Sequence, residues 1–216
     1  MPDTPETSRP LDTPTTELRS VAVFCGSSPG RSPEHIALAK AVGASIAEQG
    51  LRLVYGGGGL GLMGATASAA RDGGAPVLGV IPEVLREVEA TLSGIDHEFV
   101  PDMHVRKIRM YAESDGFIIL PGGIGTLEEA IEVLSWQQLN LHNKPIVFVS
   151  DTGYWDLLLQ ELDRLIGEGF ARASMAGDVL VATSVEEALD KAEAFIADPP
   201  ARVPLGLRDV SVENFA

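Results

Sequence analysis

Short, almost unbroken apolar runs recur along the chain, and each is followed by a stretch with apolar positions at helical spacing. The runs are Val21 to Cys25, Leu51 to Tyr55, Val77 to Ile81, Gly116 to Leu120, Pro145 to Val149 and Val179 to Val181, with Glu98 to Val100 a shorter candidate. Runs that do not alternate with polar residues predict strands buried on both faces. The spacing between them predicts helices. One opens at Ser32-Pro33, a capping serine followed by a proline suited to the first helical position, and stops near Gln49-Gly50. Others cover Ala65 to Ala70, about Asp102 through Met110, the stretch from Leu127 to about Leu139, and Tyr154 to Ile166. The last begins at Ser184, with Glu187 completing a capping box. Pro82 to about Ile95 has weak periodicity and reads as helix or loop. Strands that alternate with helices predict an α/β fold: a doubly wound, Rossmann-like parallel sheet with helices on both faces, in a single domain. Residues 1–19, rich in Pro, Thr, Asp and Glu, are expected to form a disordered tail. The folded domain is expected over 20–198, with a C-terminal tail over 199–216.

Three of the predicted strands end in glycine turns: Gly26-Ser27-Ser28-Pro29-Gly30, Gly56-Gly57-Gly58-Gly59-Leu60-Gly61-Leu62-Met63-Gly64 and Pro121-Gly122-Gly123-Ile124-Gly125-Thr126. Ligands of doubly wound sheets bind beyond the carboxyl ends of the strands, so these turns should converge on one site. Glycines let a ligand approach the backbone, and a helix N-terminus offers N–H groups and partial positive charge to an anion. Gly26, Ser27, Gly57, Gly58, Met63, Pro121, Gly122, Gly123, Gly125 and Thr126 are therefore the candidate phosphate- and nucleotide-binding residues. Glu129 stands beside the third turn. Thr126-x-x-Glu129 fits a capping box, in which the glutamate only ties off a helix end. A plain cap needs none of the preceding glycines, which favours a ligand; the two roles can coexist. Gly59-x-Gly61-x-x-Gly64 matches a dinucleotide fingerprint, with Glu83 after the next strand, but it follows the second strand rather than the first.

Composition narrows the partners. The 216 residues carry 31 acidic and 16 basic side chains, a net charge of −15. Such a surface argues against nucleic acid and anionic membranes as partners. Against that background Arg106, Lys107 and Arg109 form a rare cationic cluster. It is either a solvated helix face or a clamp for phosphate or ribose hydroxyls, a task suited to guanidinium. Cys25 is the one cysteine, so no internal disulfide can form; it reads as a buried small hydrophobe, and a reducing cytoplasm is expected. No apolar run reaches the ~20 residues that span a bilayer, and the N-terminus lacks a signal-peptide pattern. His35, His97, His104 and His142 are scattered without metal-ligand spacing, so no metal site is expected. Ser27 and Ser28 lack the elbow of a hydrolase triad. Trp136, Leu139 and Leu141 read as core or as a contact between subunits.

Pro121-Gly122-Gly123-Ile124-Gly125-Thr126-Leu127-Glu128-Glu129 resembles the P-G-G-x-G-T-x-x-E signature of the LONELY GUY family, and Met103-His104-Val105-Arg106-Lys107 resembles its M-H-x-R-K segment. Phe24 to Ser28 and Tyr55 to Gly58 are also similar to family segments, and the similarity runs from about Val21 to Phe195. The resemblance implies a Rossmann-like homodimer, or a larger homo-oligomer, that hydrolyses an N6-substituted AMP to free base and ribose 5-phosphate without a cofactor. It implies catalytic roles for Arg106 and Glu129, and nucleotide binding by Glu89, Arg106, Lys107 and the Gly122 to Glu129 loop; Glu87 is an alternative to Glu89. Glu129, at a helix N-terminus, is expected to stay ionised at neutral pH and to stabilise the oxocarbenium-like charge on the ribose. Other classes remain open: a non-catalytic nucleotide carrier resembling the molybdenum-cofactor carriers, a dinucleotide-dependent oxidoreductase using Gly59 to Gly64, or a decarboxylase needing pyridoxal phosphate on a lysine. For the last, Lys107 is the only lysine expected near the glycine rim.

Overall fold

The apolar runs pair as one parallel seven-stranded sheet in a computed structural model that describes residues 16–88 and 90–201. The strands are β1 (Ser20–Phe24), β2 (Arg52–Tyr55), β3 (Val77–Pro82), β4 (Asp96–Val100), β5 (Gly116–Ile119), β6 (Ile146–Val149) and β7 (Val179–Ala182). Their order across the sheet is β4-β3-β2-β1-β5-β6-β7. The chain winds outward from β1 to one edge, then returns to β1's other side and winds to the opposite edge. The switch of direction therefore falls between β1 and β5, paired from Val21 with Gly116 to Phe24 with Ile119.

Helices α1 (Pro33–Glu48), α2 (Gly61–Asp72) and α7 (Val185–Ala197) cover one face, where Leu38, Val42, Leu62, Ala70 and Leu189 pack against Val21, Val23 and Cys25. Helices α3 (Met103–Ala112), α4 (Ile124–Gln138), α5 (Asp156–Gly167) and the short α6 (Met175–Asp178) cover the other, where Met110, Val133 and Leu162 meet Ala22, Phe24 and Phe117. Alternate residues of one strand thus fill two cores, which is why the strands read as continuous apolar runs. Leu18, within the segment expected as a tail, is 7% exposed and joins the first core. Residues 1–15 and 202–216 lie outside the described residues.

The caps at Ser32, Asp102 and Ser184 form as expected, each side chain accepting a backbone N–H of the first turn. Gly50, at φ +68°, ends α1 in the left-handed conformation. The segment after β3 is a single 3₁₀ turn (Glu83–Leu85) followed by loop. Two expectations are corrected. Helix α4 begins at Ile124 with Gly123 as N-cap, so Thr126 is not a cap and Thr126-x-x-Glu129 is not a capping box. Thr126 and Glu129 instead lie inside the helix, 4% exposed each, and face the sheet. Helix α5 begins at Asp156, which leaves Tyr154 in the preceding turn.

Candidate functional site

Because β1 and β5 are neighbours whose following connections diverge, a crevice opens at their carboxyl ends. The first and third glycine turns meet there: Gly26 N–H donates to the Pro121 carbonyl at 3.1 Å. The second turn joins them through α2, whose Leu62 and Met63 N–H groups both donate to the Gly26 carbonyl, at 3.0 and 3.2 Å. The contact is backbone against backbone. A Cβ on Gly61 would lie 2.3 Å from the Ser27 carbonyl carbon, and one on Gly122 would lie 2.1 Å from Thr126 Oγ1. Gly57 takes φ +86° against Ile81, and Gly58 forms an isolated bridge with Thr91. By contrast, Gly123 and Gly125 look onto open space. Gly123 caps α4 without a side-chain hydrogen bond, so the first N–H groups of this helix are available to an anion.

Arg106 and Glu129 meet at this rim. Arg106 lies on α3 and Glu129 on the second turn of α4, and they form an ion pair of 3.0 Å, Nη1 to Oε1, with 5% and 4% of each residue exposed. Arg106 Nε also donates to the Val80 carbonyl of β3 at 3.2 Å. Its Nη2 occupies the space that a Cβ on Gly56 would need, 2.1 Å from that position, with the Met63 methyl beside it at 3.3 Å. Burial pushes the Glu129 carboxyl up from its ordinary value, and the Arg106 guanidinium opposes that shift. This corrects the expectation that a helix terminus holds Glu129 ionised. The group sits a turn inside the helix, and its counter-charge is Arg106.

Adjacent helical residues diverge, and Lys107 points elsewhere, to Glu128 at 2.5 Å and Glu132 at 2.9 Å on α4. Arg109 pairs with Glu98 and Glu113, away from the pair. Glu83, the acidic partner of the dinucleotide fingerprint, is tied to Arg86 on the surface. Gly64 would place a Cβ 2.1 Å from the Gly59 carbonyl, so these glycines serve the tight packing of α2 on its turn. Ser27 is exposed at the rim and Cys25 is buried beneath it, with its thiol pushed up by burial and then by Glu129. Glu89 lies outside the described residues. Among the described residues no group of three or more His, Cys, Asp or Glu could hold a metal ion, and no helix is long and apolar enough to cross a membrane.

Three contributors were not singled out from the sequence. Gly56, inside the second glycine turn, clears room for the guanidinium. Val80 supplies it with a carbonyl, for which sequence carries no signal. Tyr154, expected inside a helix, donates its hydroxyl to the Gly122 carbonyl at 2.5 Å.

Residues 63–192 match the family model described as "Possible lysine decarboxylase". The chain is 44% identical over 191 residues to a cytokinin riboside 5′-monophosphate phosphoribohydrolase of Rhodococcoides fascians, covering 88% of this chain and 94% of the relative. It is 39% identical over 180 residues to the cytokinin riboside 5′-monophosphate phosphoribohydrolase LOG3 of Arabidopsis thaliana, covering 83% and 84%. Among solved structures, the molybdenum cofactor binding protein of Rippkaea orientalis superposes with a TM-score of 0.65 at 22% identity, over 83% of this chain and 98% of that one. That likeness is one of fold. Identities of this size over most of both chains settle the lineage: the chain belongs to the LONELY GUY family of cytokinin riboside 5′-monophosphate phosphoribohydrolases.

Proposed function

We propose that this chain hydrolyses the N-glycosidic bond of AMP, or of AMP substituted at N6, to free base and ribose 5-phosphate. The carrying observation is the buried Arg106–Glu129 pair, 3.0 Å across, beside the open glycines of the α4 N-terminus. The open α4 N-terminus at Gly123 and Gly125 takes the phosphate, while Gly26, Ser27, Gly57, Gly58, Pro121, Gly122 and Thr126 build the walls around it and the sugar edge, with Met63 against the ligand. Binding energy from the 5′-phosphate then fixes the ribose over Glu129. As the bond from C1′ to the base breaks, its electrons leave with the base and positive charge grows on the sugar. The Glu129 carboxylate faces that charge and orients the water whose oxygen bonds to C1′, and the proton released ends on the departing base. Arg106 favours the ionised form of Glu129 against the effect of burial and has further N–H donors for the phosphate or ribose hydroxyls, since a guanidinium carries five. Lys107, compensated by Glu128 and Glu132, adds no free positive charge at the rim and braces α3 against α4.

The decarboxylase description of the family model fits these residues poorly. A Schiff-base lysine must present its amine to the site. Lys107 is held by two carboxylates. Lys144 is buried, with its amine donating to the Tyr111 and Ser114 carbonyls. Lys191 donates to Val181, and Lys40 is exposed on α1.

A homodimer suits the surface. Ile108 of α3, Ile131 of α4, and Leu139 and Leu141 just after it are 39–53% exposed, and exposed apolar side chains grouped on one side of a molecule mark contact surfaces. Incubation with AMP and with N6-isopentenyl-AMP, followed by chromatography, tests the activity: free base and ribose 5-phosphate should accumulate together. Tight AMP binding without released base would instead indicate a carrier.

A further inference from the structure

We propose that Tyr154 is a positioning residue for the phosphate cradle, acting through the Gly122 carbonyl. The proposal rests on the nucleotide-binding reading above and adds to it a residue from outside the three glycine turns.

Tyr154 lies in the connection between β6 and α5. Its hydroxyl donates to Gly122 O at 2.5 Å, while its ring stands edge-on to Trp155 (4.9 Å, 90°) and to His35 of α1 (5.5 Å, 79°). Trp155 is buried and meets Phe148 of β6 edge-on at 5.6 Å, so the ring is braced against the core. The loop it reaches is held at two successive carbonyls, Pro121 by the Gly26 N–H and Gly122 by Tyr154. No cis peptide bond occurs among the described residues. In a trans peptide the carbonyl and the following N–H point in opposite directions. Fixing Gly122 O therefore aims the Gly123 N–H away from Tyr154, at the mouth of α4, where Gly123 and Gly125 look onto open space.

Tyr154 is 44% exposed. Water could satisfy the same carbonyl, so the bond adds little to folding by itself. What water cannot supply is a fixed direction. An anion bound by backbone N–H groups gains most when those groups are already aligned.

The test compares the wild type with Tyr154→Phe, which keeps the ring contacts and loses only the hydroxyl. Dissociation constants for AMP and ribose 5-phosphate should rise about threefold to tenfold, KM for AMP should rise with them, and kcat should hold. Adenosine, a competitor without phosphate, should keep its inhibition constant. Unchanged AMP and ribose 5-phosphate binding would overturn the proposal, as would an equal loss for adenosine, which would reduce Tyr154 to general support. Tyr154→Leu should show the same phosphate-specific loss together with a lower melting temperature. Failure of the wild type to release base would count against the hydrolase reading alone, because the binding ratios judge Tyr154 independently.

Discussion

Glu129 brings a carboxylate to a place where solvent barely reaches, and Arg106 above all makes that tolerable. An unpaired buried charge costs several kcal/mol, and removing one partner of such a pair typically costs about 3–5 kcal/mol. In the proposed mechanism the pair's energy goes into holding two charges beside the sugar rather than into stability. Burial raises the Glu129 carboxyl's pKa. The proposed role needs its ionised form, so kcat should fall as pH drops through a value above the ordinary carboxylate range of about 4.3. A pH profile checks this; an acid limb at or below the ordinary range would contradict it. Gly56 supplies a second test at this scale. A Cβ there would lie 2.1 Å from Arg106 Nη2, so Gly56→Ala must displace the guanidinium. A misplacement of about 1 Å can cost on the order of 10²-fold in rate. The expected result is a kcat/KM loss of that order, read by steady-state kinetics, from a residue that has no side chain to contribute.

At the scale of elements, much of the architecture was legible in the apolar pattern. Strands buried on both faces leave no polar alternation, and caps such as Ser32, Asp102 and Ser184 announce themselves by residue type. The α4 boundary was misread because a threonine with a glutamate three residues on looks like a capping box; tertiary contact won, and both side chains turned inward while a bare glycine took the cap. The 3₁₀ turn after β3 and the four-residue α6 lacked enough length for a period to show. Arg106, Glu129 and the glycine turns were legible as candidates, while their meeting depended on β1 and β5 being neighbours. The Tyr154 bond was not legible, since it joins residues 32 positions apart through a backbone oxygen. Helix packing on the opposite face carries its own prediction. A Cβ on Gly43 of α1 would lie 2.2 Å from the Thr66 carbonyl of α2. Gly43→Ala should therefore destabilise by about 1–3 kcal/mol, lowering the melting temperature by roughly 2–4 °C per kcal/mol; an unchanged melting curve would show that the two helices can part freely.

Over the whole molecule, a net charge of −15 coexists with the site proposed for an anion. In the proposed site the conflict is resolved locally, by backbone N–H groups, a helix terminus and the buried Arg106 guanidinium, so binding should depend on geometry more than on overall field. The exposed apolar residues of α3 and α4 belong to this scale too. Ile131→Asp should place a charge in the proposed subunit contact and convert a dimer to a monomer in sedimentation analysis; an unaltered sedimentation coefficient would move the contact elsewhere. The decisive comparison is base release from N6-isopentenyl-AMP by the wild type and by Glu129→Gln. The wild type should release base steadily, and the variant should still bind the nucleotide but release base about 10²-fold or more slowly. Near-normal release by the variant, or none by the wild type, would contradict the proposed mechanism.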